Sequence, residues 1–235
     1  MRCFAHLQTG GGRRRPLTDI QANMKKLIRT FVFSVGLAMF SVAQASPSAP
    51  VSGTDYSVLP AAQPVDVPAG KIAVIEFFWY GCPHCNEFDP YLEAWVKKQG
   101  PDVVFKRVPV AFRPDFIPHS KLYHALEALG KTDLTPVIFN EIHKNKNYLL
   151  TPEAQADFLA KQGVDKKKFL DAYNSFSTQS ALKRDAQMLS DYKIDGVPTL
   201  AVQGKYETSP SMTNSLTGTL QVLDYLVAQV RAKKM

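Results

Sequence analysis

The chain has 235 residues, 45% of them apolar and 11% aromatic, which is the composition of a folded domain with a real core and excludes a chain that is disordered throughout. Its formal charge of +7 is confined to one end: residues 1–45 hold Arg2, Arg13, Arg14, Arg15, Lys25, Lys26 and Arg29 against Asp19, leaving 21 basic and 20 acidic residues for the rest. A remainder that is near neutral gives no basis for expecting a nucleic-acid partner.

Residues 1–45 read as a targeting segment. Met24-Lys25-Lys26-Leu27-Ile28-Arg29 is a short basic start, Thr30 to Val42 is apolar and uncharged, and Ala43-Gln44-Ala45 is an A-x-A cleavage site. The apolar run falls short of the roughly 20 residues that a spanning helix needs, so a secretory signal peptide cut after Ala45 is expected rather than an anchor. Arg13-Arg14 lies too far upstream of that run for a twin-arginine signal, and no cysteine follows the cleavage site to carry a lipid. Translation is expected to start at Met24. Cys3 is then discarded, and the mature chain keeps only Cys82 and Cys85. One closely spaced pair is not a disulfide scaffold.

Residues 46–70 are rich in Pro, Ala and Ser and read as an extended lead-in. Lys71 to Tyr80 (KIAVIEFFWY) is a near-continuous apolar run that predicts a strand buried on both faces, ended by Gly81. From Cys82 the spacing of Phe88, Tyr91, Leu92, Trp95 and Val96 is helical, and Gly100-Pro101 stops that helix. Val103 to Val110 predicts a second strand, completing a parallel, right-handed βαβ unit. Phe112 to Asp185 then reads as helical. Segments are predicted at 119–129 and 136–144, from a Thr151 cap with Pro152 at the first position, from an Asp165 cap to about Phe176, and at 179–192. The β pattern returns at Pro198 to Val202, with Gln203-Gly204 as a hairpin turn, Lys205 to Thr208 as the partner strand, and Leu216 to Val230 as a last amphipathic helix.

The chemistry-bearing residues stand where the first strand meets its helix. A helix N-terminus leaves four backbone N–H groups without internal partners, and these, with the helix dipole, favour an anion. Cys82 occupies that point, so its thiolate is expected to be stabilised. Pro83 suits the first turn, where a missing N–H costs nothing, and His84 adds positive charge or a hydrogen bond when protonated. Cys85, one turn further in, is the resolving thiol. A structural disulfide across so short a loop would gain little chain entropy, and a zinc site needs about four ligands, whereas His119 and His124 follow at spacings too long for a finger. A redox dithiol is the reading these residues favour. Glu76 is the one charged group between Ile72 and Tyr80. As a buried, unpaired carboxylate its pKa should rise, and it is placed to accept or relay the Cys85 proton, unless it stands at a strand end in solvent. Pro198, at a strand start, needs no N–H for the ladder, and the residues alone leave its preceding bond trans.

EFFWYGCPHCNEF, followed far downstream by GVPTLAVQGKY, resembles the DsbA family of periplasmic thiol-disulfide oxidoreductases. The resemblance runs over essentially the whole mature chain. It implies an α/β, thioredoxin-like fold, 46–111 with 186–235, interrupted by an all-helical domain at 112–185. It implies that Cys82 is the exposed nucleophile, Cys85 its buried partner and Glu76 a buried acid. It further implies that Pro198 is a cis-proline facing the dithiol, with Val197 offering backbone hydrogen bonds to a bound peptide. Lys106 or Arg107 matches a basic residue near that acid. Trp79-Tyr80-Gly81 and Thr199 depart from the best-known member. The implied activity is donation of the Cys82–Cys85 disulfide to reduced, unfolded exported proteins by a periplasmic monomer. A membrane partner resembling DsbB would reoxidise it, with no metal, nucleotide or organic cofactor. Two alternatives stay open: an isomerase or reductase on the same fold, and a non-enzymatic module with a structural CxxC.

Overall fold

The computed structural model describes residues 49–233. The expected signal peptide and the start at Met24 lie outside the described residues. Five strands form one mixed sheet in the order β1-β5-β4-β2-β3: β1 Ser57–Val58, β2 Ile72–Phe78, β3 Val103–Pro109, β4 Thr199–Val202 and β5 Tyr206–Thr208. β2 pairs parallel with β3, Ile72 opposite Val103 and Glu76 opposite Arg107, and antiparallel with β4, Glu76 opposite Leu200. Every residue of β2 is buried, because helices cover both faces of this central strand.

Helix α1 (Pro83–Val96) crosses from β2 to β3. It buries Cys85, Phe88, Leu92 and Trp95 and leaves Tyr91 exposed, so one residue of the expected apolar stripe faces solvent. With α8 (Leu216–Arg231) it covers one face of the sheet, where Phe88, Leu92, Leu200, Val202, Leu223 and Leu226 share a core. The opposite face packs Ile75, Phe77, Val108 and Ala201 against Tyr192.

Between β3 and β4 lie α2 (Ile117–Ala128), α3 (Thr135–His143), α4 (Pro152–Ala160), α5 (Lys166–Tyr173) and α6 (Phe176–Asp191). Thr151 caps α4 by accepting from the Ala154 N–H at 3.2 Å, and Asp165 caps α5 by accepting from Lys168 at 2.8 Å. The run expected to reach Phe176 stops at Tyr173, because Ser175 caps α6 by accepting from Thr178 at 3.1 Å. These helices do not close a core of their own. Phe78, Tyr80, Cys82 and Cys85 belong to the same buried cluster as Leu122, Leu126, Ile138, Phe139 and Phe169. Each fully buried large side chain there contributes about 1.5–3 kcal/mol.

The β4–β5 turn is the expected Gln203-Gly204, both residues at positive φ (52° and 66°), the hairpin geometry that matches strand twist. The lead-in is more than a tether. Ser57–Val58 adds a fifth strand at the β5 edge, and the Gln63 N–H donates to Gly204 O at 2.7 Å. A two-residue strand carries too little alternation to show in sequence. The short helix α7 (Pro210–Thr213), capped by Ser209, was likewise not expected.

Candidate active site

Cys82 is the N-cap of α1, with extended backbone (φ −81°, ψ 120°), and its Sγ accepts the Cys85 N–H at 3.4 Å. Pro83 occupies the first turn, as the missing N–H allows. Both cysteines are free thiols and both are buried, Cys82 at 7% exposure and Cys85 at 0%, so the nucleophile that the resemblance implied to be exposed is covered by the segments packed around the helix start. Hydrogen bonding by the Cys85 thiol, then the backbone N–H groups of Cys85 and His84, bring Cys82 down to about 6 from an ordinary 9.0, against the opposing effect of burial. Burial, and then the neighbouring Cys82, push Cys85 the other way, while a backbone hydrogen bond from Trp79 resists. The two thiols are therefore separated by environment: one a ready anion, the other held neutral. The His84 ring is exposed, 3.8 Å from Glu87, and its charge helps Cys82 less than its own backbone N–H does.

The Val197–Pro198 bond is cis, where the residues alone favoured trans and the family resemblance implied cis. The Cys82 Sγ lies 3.5 Å from the Val197 carbonyl oxygen, a sulfur–acceptor contact. Tertiary packing thus brings together two segments 115 positions apart. Beside them opens a groove of about 590 Å³ lined by His84, Val197, Pro198, Thr199, Glu207 and Met212. A larger groove of about 840 Å³ between α1 and α8 is lined by none of His84, Val197 or Pro198.

Glu76 is buried (1% exposed), which excludes the strand-end reading. It is not unpaired: Arg107 Nε donates to its Oε2 at 2.6 Å. Parallel pairing puts Arg107 directly opposite Glu76, so Arg107 and not Lys106 is the base beside the acid. Lys106 points the other way and donates to Asp66. Arg107 also donates to Asp89 at 2.6 Å and Glu93 at 3.0 Å. One guanidinium thus faces three carboxylates. Burial raises Glu76 despite Arg107. Burial, then the charges of Glu76 and Glu93, push Asp89 up to about 7 against the pull of Arg107. Burial and the mutual repulsion of Glu76 and Asp89 thus favour a proton on this pair, with Arg107 opposing. Asp89 was missed in sequence. Its signal was its spacing: four residues after Cys85 and three before Leu92 is the buried face of the helix.

Among the described residues no group of three or more His, Cys, Asp or Glu side chains is placed to hold a metal ion. His119 is buried, with its Nε2 2.8 Å from Tyr148 O, and His124 lies between Asp185 (2.6 Å) and Glu127 (3.1 Å).

A family model described as DSBA-like thioredoxin domain matches residues 118–220. The chain is 66% identical over 213 residues to the thiol:disulfide interchange protein DsbA of Burkholderia cepacia, covering 90% of this chain and all of that one. It is 39% identical over 210 residues to the protein of that name from Pseudomonas aeruginosa PAO1, covering 89% and 98%. The crystal structure of Pseudomonas aeruginosa DsbA superposes with a TM-score of 0.75 at 40% identity, over 79% of this chain and 96% of that one. Reduced DsbA1 from Neisseria meningitidis superposes with a TM-score of 0.71 at 30% identity, over 80% and 98%. With a thioredoxin-like sheet, a helical block between its halves and relatives matched over nearly their whole length, the chain belongs to the DsbA family.

Proposed function

We propose that this protein is a thiol:disulfide oxidoreductase that donates a Cys82–Cys85 disulfide to newly exported proteins. The observation that carries the reading is the asymmetry of the pair: Cys82 at a helix start, accepting the Cys85 N–H, and Cys85 fully buried one turn below. A substrate thiolate attacks Cys82 Sγ of the oxidised enzyme. The Cys82–Cys85 bond breaks, its electron pair stays on Cys85, and that sulfur takes up a proton. The substrate's second thiolate then attacks its own sulfur in the mixed disulfide, and Cys82 leaves as the thiolate its surroundings favour. Two electrons pass from substrate to enzyme. Each tenfold gain in the acidity of Cys82 raises the potential of the couple by about 30 mV, other contributions equal, so the site is built to give its disulfide away.

In this reading Glu76 supplies the Cys85 proton, with Asp89 and Arg107 holding the store from which it is drawn. Val197, beside Pro198, offers its backbone to the substrate peptide, and His84 stands on the rim of the groove. The cysteines carry the electrons themselves, so no cofactor enters the reaction. The protein works as a monomer in the periplasm, in keeping with the signal peptide expected to be cut after Ala45, and a DsbB-like membrane protein takes the electrons on. Among the described residues no helix is long and apolar enough to cross a membrane.

The test is the thiolate absorbance of reduced protein against pH. A midpoint near 6 at Cys82 is expected; titration near the free-thiol value of about 8.5 overturns the oxidase reading in favour of a reductase or an inert pair. A Cys82→Ser variant that still oxidised a dithiol peptide would overturn the assignment of the nucleophile.

A further inference from the structure

Tyr80 and Gly81 are the central residues of the turn that delivers Cys82 to its helix: the Cys82 N–H donates to Trp79 O at 3.0 Å. The central peptide of a β-turn has two orientations. With φ negative at the third residue the turn is of type I; with φ positive the peptide has flipped, giving type II. Gly81 lies outside the left-handed region. It is glycine because the Trp79 ring lies where a side chain would begin, 2.3 Å from the position of a Cβ. Glycine also makes the flip sterically open, since positive φ carries no side-chain penalty there. The close approach of Trp79 thus leaves a loose joint next to the nucleophile.

Helix α3 closes that joint from the inserted block. Its last residue, His143, donates from Nε2 to Tyr80 O at 2.8 Å, and its first, Thr135, pairs through Oγ1 with the Tyr80 hydroxyl at 3.1 Å. The Tyr80 ring between them is buried against Phe78 and Phe139 at centroid distances of 5.0 and 5.3 Å. The Tyr80 carbonyl is the group that would turn over in a flip, so the His143 hydrogen bond must break before the turn can change type. We infer that His143 is a positioning residue for Cys82: it latches the Tyr80–Gly81 peptide and thereby holds the nucleophile on the helix N-terminus and against Val197. This rests on the reading of Cys82 as nucleophile, and it gives the helical block a direct part in the reaction.

The test uses the mature chain with His143→Ala and His143→Gln, the latter keeping an N–H donor. Three quantities are read: the Cys82 thiolate midpoint, the rate of oxidation of a dithiol peptide, and the urea midpoint of unfolding. His143→Ala should move the thiolate midpoint toward that of a free thiol and slow oxidation about five- to tenfold, short of the roughly hundredfold that a 1 Å misplacement of a reacting group can cost. His143→Gln should recover most of both. Unchanged thiolate midpoint and rate in His143→Ala, or equal losses in the two variants, overturn the latch. A second comparison guards against a general folding defect. In a Trp79→Ala/Gly81→Ala background the ring no longer blocks position 81 and L-alanine disfavours positive φ, so His143→Ala should cost less than about twofold there. A loss as large as in Trp79→Ala alone overturns the proposal. If the wild type itself fails to oxidise the peptide, the proposed function fails; if it succeeds and the His143 variants match it, only the latch does.

Discussion

Arg107 Nε donates to Glu76 Oε2 at 2.6 Å across the parallel β2–β3 pair, and neither side chain is more than 6% exposed. The same guanidinium reaches Asp89 on the active-site helix. Removing Arg107 therefore leaves at least two buried carboxylates without their cation. Arg107→Met should lower unfolding stability at pH 7 by about 3–5 kcal/mol, read by urea denaturation. A loss below about 1 kcal/mol would show that water or a shifted side chain replaces the arginine.

The carboxylates themselves set a pH dependence. A carboxyl whose pKa is higher in the folded than in the unfolded protein holds its proton more tightly when folded, so stability falls as pH rises across that interval. For Asp89 the interval runs from the ordinary 3.8 to about 7. Asp89→Asn, which keeps an oxygen for Arg107, should be more stable than wild type at pH 8, and the advantage should fade as pH drops through 7 toward 4. Thermal unfolding at several pH values reads this directly, and a pH-independent difference would contradict it.

Glu76→Gln removes the proposed proton source without removing an acceptor for Arg107. Peptide oxidation near neutral pH should slow about a hundredfold if proton transfer to Cys85 limits the first step, the low end of what a positioned acid or base supplies. Stopped-flow formation of the mixed disulfide isolates that step. An unchanged rate would move the proton source to Asp89 or to water.

His124 ties α2 to α6 through Asp185 and reports on a different part of the molecule. Burial works against its charge, but hydrogen bonds to Asp185 and then Glu127 raise it from 6.5 to about 9. A base with a raised folded pKa contributes its full stabilisation below the unfolded value, and that contribution is lost as pH rises through the folded one. The stability difference between wild type and His124→Gln should thus be largest at pH 6 and shrink between pH 6.5 and 9. A difference that grew toward pH 9 would show the imidazole to be neutral in the fold.

Gly81→Ala places a methyl group within 2.3 Å of the Trp79 ring. Destabilisation of about 1–3 kcal/mol is expected, as for an overpacked core, and the loss should largely vanish in a Trp79→Ala background. Equal losses in both backgrounds would place the conflict elsewhere.

The elements around the site were legible because their signals are local. KIAVIEFFWY is a buried strand by its unbroken apolar run, Thr151 and Asp165 announce helix starts, and a cysteine just ahead of Pro83 falls where free N–H groups meet an anion. Glu76 could be flagged as the one charge in that strand. Its partner could not, since Lys106 and Arg107 are adjacent in sequence and only strand register decides which faces it. Asp89, in sequence one more polar residue of a helix, gains its meaning from a sheet whose position the helix alone does not specify.

By itself, then, the sequence determined that Cys82 and Cys85 straddle the start of a helix, one at its mouth and one a turn inside, because that depends on residues a few positions apart. The tertiary structure alone decided what surrounds them: Val197 beside Cys82, Arg107 among three carboxylates, and His143 on the turn before the nucleophile. These contacts join segments tens of residues apart, and their geometry is set by how the sheet and the inserted helices pack into one core.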